Sequence, residues 1–159
     1  ANKLNIKTVL DHSTFDGWKI APLVLEAGED NVITINGPRQ FHFDRTQRKM
    51  MGNAHRWWQG GITKLGVNTD APVIPQEQLP YQATIACWYG WKPYLAIAGL
   101  TRVPAEARMV DDIVGTIEPE KHADFAIWTG DPIDPRSHVL ATVIEGDVVY
   151  DAERDGRRF

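Results

Sequence analysis

Two residues in this sequence stand where chemistry could be done. His12 closes the run Leu10-Asp11-His12, directly after an apolar stretch. A neutral imidazole there can bind a metal or orient a substrate. Asp70 follows Lys64 to Thr69 (KLGVNT) and precedes Ala71-Pro72. A carboxylate so placed can ligate a metal and take a proton from its bound water. Each has a structural reading as well: a strand-end histidine in a hydrogen bond, and an N-cap or turn aspartate before a proline. Asn68 and Arg39 are further candidates, as substrate contacts from the same edge. His42 and His55 lie thirteen residues apart, which is no ligand spacing on one face, and His122 and His138 read as surface groups. Trp57-Trp58, Trp88 and Trp91 read as aromatics packed on a sheet. Asp30-Asn31 and Asp111-Asp112 read as solvated turns. There is no Gly-rich phosphate loop and no serine nucleophile elbow.

The elements that must position these groups follow a regular order. Asn5 to Leu10 alternates polar and β-branched residues and predicts a strand; Phe15 to Ala27 predicts a helix stopped by Gly28. Asn31 to Asn36 (NVITIN) is a second strand, followed by a polar segment and a predicted helix over Thr46 to Gln59. Lys64 to Thr69 is a third strand, and Pro75 to Tyr89 and Pro93 to Arg102 predict two helices with prolines in their first turns. This alternation implies parallel strands, an architecture that gathers polar groups at the C-terminal strand ends: Asp11 and His12, Asn36 and Arg39, Asn68 and Asp70. After about Asp111 the texture changes. Ile113 to Ile117, Asp124 to Trp128 and Val139 to Tyr150 are short strand patterns, the last turning at Glu145-Gly146-Asp147. Glu153 to Phe159 is polar and expected to fray.

Composition excludes several classes. Seventeen Lys and Arg against twenty-one Asp and Glu give a net charge of -4, which argues against nucleic-acid binding. No apolar run approaches the roughly 20 residues of a membrane span. Cys87 is the single cysteine, so no internal disulfide can form. A soluble, cytoplasmic protein is the expectation. The start, Ala1-Asn2-Lys3-Leu4, carries neither Met nor a signal core, which suggests a processed chain or a piece of a larger one.

The tail is the most specific signal. Val114-Gly115-Thr116-Ile117-Glu118-Pro119, continuing through Ala123-Asp124-Phe125-Ala126-Ile127-Trp128, resembles the "GSIEPGKDADLVV" segment of metal-dependent amidohydrolases, closest to imidazolonepropionase-like members. Val143-Ile144-Glu145-Gly146-Asp147-Val148-Val149-Tyr150 continues that pattern, and Ala98-Gly99-Leu100-Thr101 with Pro104-Ala105 resembles its preceding helix. Lys64 to Pro72 is similar to the eighth barrel strand, with Asp70 at its metal aspartate. Asp11-His12 with Ala21-Pro22-Leu23 is similar to the sixth strand and its helix, with His12 at that strand's histidine.

The resemblance implies an α/β fold: the last three βα units of a (β/α)8 TIM-type barrel in residues 1–106, and in 107–159 the C-terminal β module of a composite sandwich. Roughly 250 residues per barrel allots about 31 to each unit, so only three fit. It implies a divalent metal, usually zinc, as one or two ions held by Asp70 and His12, with both residues catalytic. The family's His-x-His, its strand-four Lys or Glu and its strand-five histidine are absent from these residues, and catalytic zinc normally takes three protein ligands. The expectation is therefore a C-terminal portion or subunit of an amidohydrolase that hydrolyses a C–N bond in a cyclic amide or similar small substrate. A second polypeptide or an upstream segment would supply barrel strands 1–5 in an oligomer. The alternative is a non-catalytic scaffold subunit retaining the fold, which the departures Arg102-Val103 and Arg108-Met109 favour.

Overall fold

The computed structural model describes residues 6–156. The chain opens with β1 (Thr8–Leu10), a 3-10 turn over Phe15–Ile20, α1 (Ala21–Ala27) and β2 (Val32–Asn36). Then come β3 (Phe41–Asp44), β4 (Lys49–Gly52), α2 (Asn53–Gln59) and β5 (Leu65–Val67). α3 (Leu79–Trp88), α4 (Pro93–Leu100) and α5 (Arg102–Arg108) follow, then β6 (Phe125–Trp128), β7 (Val139–Ile144), β8 (Asp147–Asp151) and α6 (Ala152–Asp155).

β1, β2 and β5 pair in parallel in that order, with Leu10 beside Thr34 and Asn36 beside Val67. The period of two sends alternate residues of β2 to opposite faces. Val32 joins Leu65, Val67, Trp57, Ala21, Val24 and Trp91 in the main core, on the side covered by α1, α2 and α3. Ile33 and Ile35 point the other way and pack on Val103 of α5. Gly66 makes this second contact possible, because a Cβ there would lie 2.4 Å from Ile35 Cδ1. β6, β7 and β8 form a separate antiparallel sheet. Its Glu145-Gly146 turn has φ of 51° and 86°, the left-handed pair that matches strand twist in a two-residue hairpin.

Several expectations need correction. Thr46 to Gln59 is not one helix: β3 and β4 form an antiparallel hairpin, and only Asn53–Gln59 is helical. The cause is local. Asp44 Oδ1 accepts the N–H groups of Thr46 and Gln47 at 2.8 and 2.9 Å, and Arg48 takes a left-handed φ of 52°, so the chain reverses instead of coiling. Residues 113–117 form no strand. The N–H groups of Ile113 and Val114 turn back to the carbonyl of Val110, and Lys121 Nζ donates to Thr116 Oγ1 at 2.6 Å. Pro93 to Arg102 breaks at Thr101, whose φ of -126° and ψ of -84° separate α4 from α5. Asp151 caps α6 by accepting the N–H groups of Glu153 and Arg154, so the described part of the tail is ordered. Asn5, at the head of the first predicted strand, and residues 157–159 lie outside the described residues.

Candidate functional site

β1 hands directly to Asp11 and His12, and β5 to Asn68 and Asp70, so both loops leave the same C-terminal edge on either side of β2. The ladder runs on past the strands: Ser13 N donates to the Ile35 carbonyl at 3.0 Å and Asn68 N to that of Asn36 at 3.1 Å. Gly37 follows the central strand where a Cβ would lie 3.0 Å from His12 Cα and from Thr14 Cγ2, so glycine gives the His12 loop room to pack closely across it. From below, the buried Trp57 indole donates to the Ser13 carbonyl at 2.9 Å.

His12 and Asp70 both take left-handed backbone conformations, with φ of 53° and 51°. Histidine and aspartate are among the residues that tolerate this region. Their side chains meet: His12 Nε2 stands 3.5 Å from Asp70 Oδ1, with 45% and 40% of each side chain exposed. That gap is long for a hydrogen bond. Two donors sharing a tetrahedral ion at about 2.1 Å each would stand about 3.4 Å apart, so an imidazole nitrogen and a carboxylate oxygen at this separation suit zinc. Among the described residues no third His, Cys, Asp or Glu joins them in a group that could hold a metal.

Asn68 lies beside this pair. Its Nδ2 donates to Asp11 Oδ1 at 2.6 Å, and the same oxygen accepts the His12 N–H at 2.9 Å. Asp11 thus orders the loop that carries His12.

Arg39 lies in a neighbouring cleft. Its guanidinium sits 5.2 Å from the Phe15 ring centroid. The cleft, of about 560 Å³, is lined by Phe15 and Arg39 together with Phe41, His42, Phe43, Arg45 and Met50 of the hairpin. His42 Nδ1 donates to Asn53 Oδ1 at 2.6 Å, while Asn53 Nδ2 donates to the Arg39 carbonyl at 2.6 Å. Sequence reasoning set His42 aside for its spacing to His55 and did not single out Asn53, because their pairing exists only once the hairpin forms. His55 instead meets the Gly90 carbonyl at 2.8 Å, and His122 lies 4.0 Å from Asp124 in the tail sheet.

No protein-family model matches the chain. Over 91 residues, 57% of this chain, it is 26% identical to amidohydrolase tasK of Hapsidospora irregularis and spans 9% of that protein. An amidohydrolase from Thermotoga maritima MSB8 superposes with a TM-score of 0.73 at 29% identity, covering 90% of this chain and 37% of its own. An adenosine deaminase from Xanthomonas campestris with bound zinc shares the fold at a TM-score of 0.59 and 17% identity, over 88% of this chain and 36% of its own. The chain therefore spans well under half the length of each of these proteins. In sequence and in fold it is similar to part of an amidohydrolase, in keeping with the carboxyl-terminal character of its tail motif.

Proposed function

We propose that this chain is the C-terminal portion of a metal-dependent hydrolase acting on a C–N bond, other than a peptide bond, in a cyclic amide or similar small substrate. The observation that carries this reading is the meeting of His12 and Asp70 at 3.5 Å on the C-terminal edge of a parallel sheet, the edge where such folds do chemistry. In this reading residues 1–106 are strands six to eight of the barrel with their helices, and 107–159 belong to the composite sandwich. His12 Nε2 and the Asp70 carboxylate would hold one zinc ion, or one each of two. A bound zinc supplies an acidified water and a polarised carbonyl. Asp70 takes the proton from the attacking water and delivers it to the leaving nitrogen as the C–N bond breaks, returning to its ionised form. His12 fixes the substrate oxygen where it does not ligate, and Asn68 and Arg39 contact the substrate.

The remaining ligands and strands would come from an upstream segment or a second polypeptide. Among the described residues β1 and β5 each pair with β2 alone, leaving both outer edges of the sheet open. Beside β1 runs an apolar groove of about 350 Å³ between Leu10, Ile20, Leu23 and Val32, with Leu23 63% exposed. Open edges and exposed apolar groups of this kind are what a further βα unit covers.

The test is metal content and turnover of the assembled enzyme, this chain together with its upstream segment or partner polypeptide, carrying Asp70→Asn or His12→Asn, both of which keep a residue tolerant of the left-handed backbone. Asp70→Asn is expected to lower kcat by about a hundredfold or more, and each variant to lose bound zinc. Full metal content and unchanged turnover in both would overturn the reading. A metal-free protein that still assembles with its partner would favour the scaffold alternative, to which the two-member ligand set among the described residues points.

A further inference from the structure

We propose that the cleft beside the His12–Asp70 pair is a carboxylate subsite, in which Arg39 and Arg45 hold the anionic group of a flat substrate that packs beside Phe15. The proposal rests on the hydrolase reading only for calling the occupant a substrate.

Charge points to an anion. Among the described residues neither Arg39 nor Arg45 has a carboxylate within ion-pair distance, although both line the cleft. The nearest acid along the chain, Asp44, has its Oδ1 committed to the backbone N–H groups of Thr46 and Gln47. Two uncompensated guanidinium groups in one concave surface raise the local concentration of anions. A planar guanidinium also matches a carboxylate through two parallel hydrogen bonds.

The site is built rather than incidental. Asn53 is fully buried, and its amide orientation is fixed because Nδ2 donates to the Arg39 carbonyl. Its oxygen therefore faces His42, so His42 Nδ1 carries the hydrogen and Nε2 is left as an acceptor, suited to an N–H or O–H of the substrate rather than to its carboxylate. One buried amide thus sets both the Arg39 backbone and the His42 ring. Phe15 meets the His42 ring edge-on at 6.0 Å and holds a left-handed φ of 52°, a costly conformation for a bulky residue. That conformation sets the ring of this half-exposed residue 5.2 Å from the Arg39 guanidinium, which it helps to hold in the cleft. The cleft volume of about 560 Å³ suits a small molecule. Phe15 lies three residues beyond His12, and Arg39 two beyond Gly37, which packs on His12, so the cleft adjoins the loop that carries the pair.

Calorimetric titration of the protein with benzoate, benzamide and phenyl phosphate tests this. Benzoate is expected to bind at least about tenfold more tightly than its neutral isostere benzamide, and Arg39→Gln and Arg45→Gln each to weaken it about fivefold or more. Both arginines are exposed, so their replacement leaves the fold intact, which circular dichroism checks. Equal affinity for benzoate and benzamide, or benzoate binding untouched by both substitutions, would overturn the proposal. Tighter binding of phenyl phosphate than of benzoate would overturn the carboxylate assignment. Benzoate has no C–N bond to cleave, so these outcomes are independent of turnover and separate the failure of this subsite from failure of the hydrolase reading.

Discussion

The carboxylate of Asp11 and the amide of Asn68 meet at 2.6 Å over the end of β2, joining loops that leave the two outer strands of the sheet. Because the same Asp11 oxygen accepts the His12 N–H, this contact ties the backbone of His12 to the loop that carries Asp70. It is a positioning device for the pair, built from residues that need touch no substrate.

Breaking that contact should therefore affect stability and the pair together. Asn68→Ala removes a hydrogen bond to a charged acceptor and is expected to cost about 1–2 kcal/mol, at the lower end because Asp11 is exposed. Chemical denaturation measures the loss. Zinc affinity should fall as well, whereas an unaltered zinc titration in Asn68→Ala would mean that the loops hold the pair without it.

Trp57 makes a second prediction, deeper in the fold. Its side chain is fully buried and its indole N–H reaches the Ser13 carbonyl at 2.9 Å, one residue beyond His12. Trp57→Phe keeps most of the apolar volume but leaves that carbonyl without its partner. The expected loss is about 1–3 kcal/mol, rising to about 3–5 kcal/mol for Trp57→Ala, where a cavity is added. Equal urea midpoints for Trp57→Phe and the unmodified protein would refute the hydrogen bond's contribution.

How much of this was legible in the sequence depends on how local each determinant is. His12 and Asp70 could be placed together because each lies two or three residues past a short strand, and parallel strands bring their ends to one edge. Glu145-Gly146 could be read as a turn because glycine there satisfies a two-residue hairpin. The hairpin of Phe41–Asp44 and Lys49–Gly52 could not. Gln47, Arg48, Lys49, Met50 and Met51 are all good helix formers, and what reverses the chain is one side chain, Asp44, capturing two backbone N–H groups. With the hairpin hidden, so was the His42–Asn53 bond, which spans eleven residues and forms only across it. Arg39 was legible as a strand-end residue, but its place against Phe15 depends on a left-handed turn at an aromatic, which no sequence pattern announces.

Cys87 should be inert. Burial, reinforced by the negative charge of Asp131, pushes its thiol up to about 11. The nucleophile is the thiolate, so at pH 8 only a small fraction is reactive. Alkylation by iodoacetamide is expected to be at least about tenfold slower in the native protein than in the urea-unfolded chain. Comparable rates would show that the thiol is neither buried nor shifted.

Lys64 carries the last prediction, on pH. It enters β5 beside Asp30 and lies 2.7 Å from Glu106 Oε2 on α5. Burial works against its charge, but hydrogen bonds from its ammonium to Asp30 and Glu106 outweigh that cost and hold it above its ordinary value. A group raised on folding contributes stability that is complete below its unfolded pKa, about 10.4, and is lost as pH climbs through the folded value. Asp30 is 82% exposed and adds little, whereas Glu106 is 14% exposed and would lose its lysine partner in Lys64→Met. The substitution is expected to cost about 1–2 kcal/mol between pH 6 and pH 9. That difference from the unmodified protein should shrink above about pH 10.5. A gap that stayed constant into that alkaline range would show that lysine packing, not its charge, ties β5 to α5.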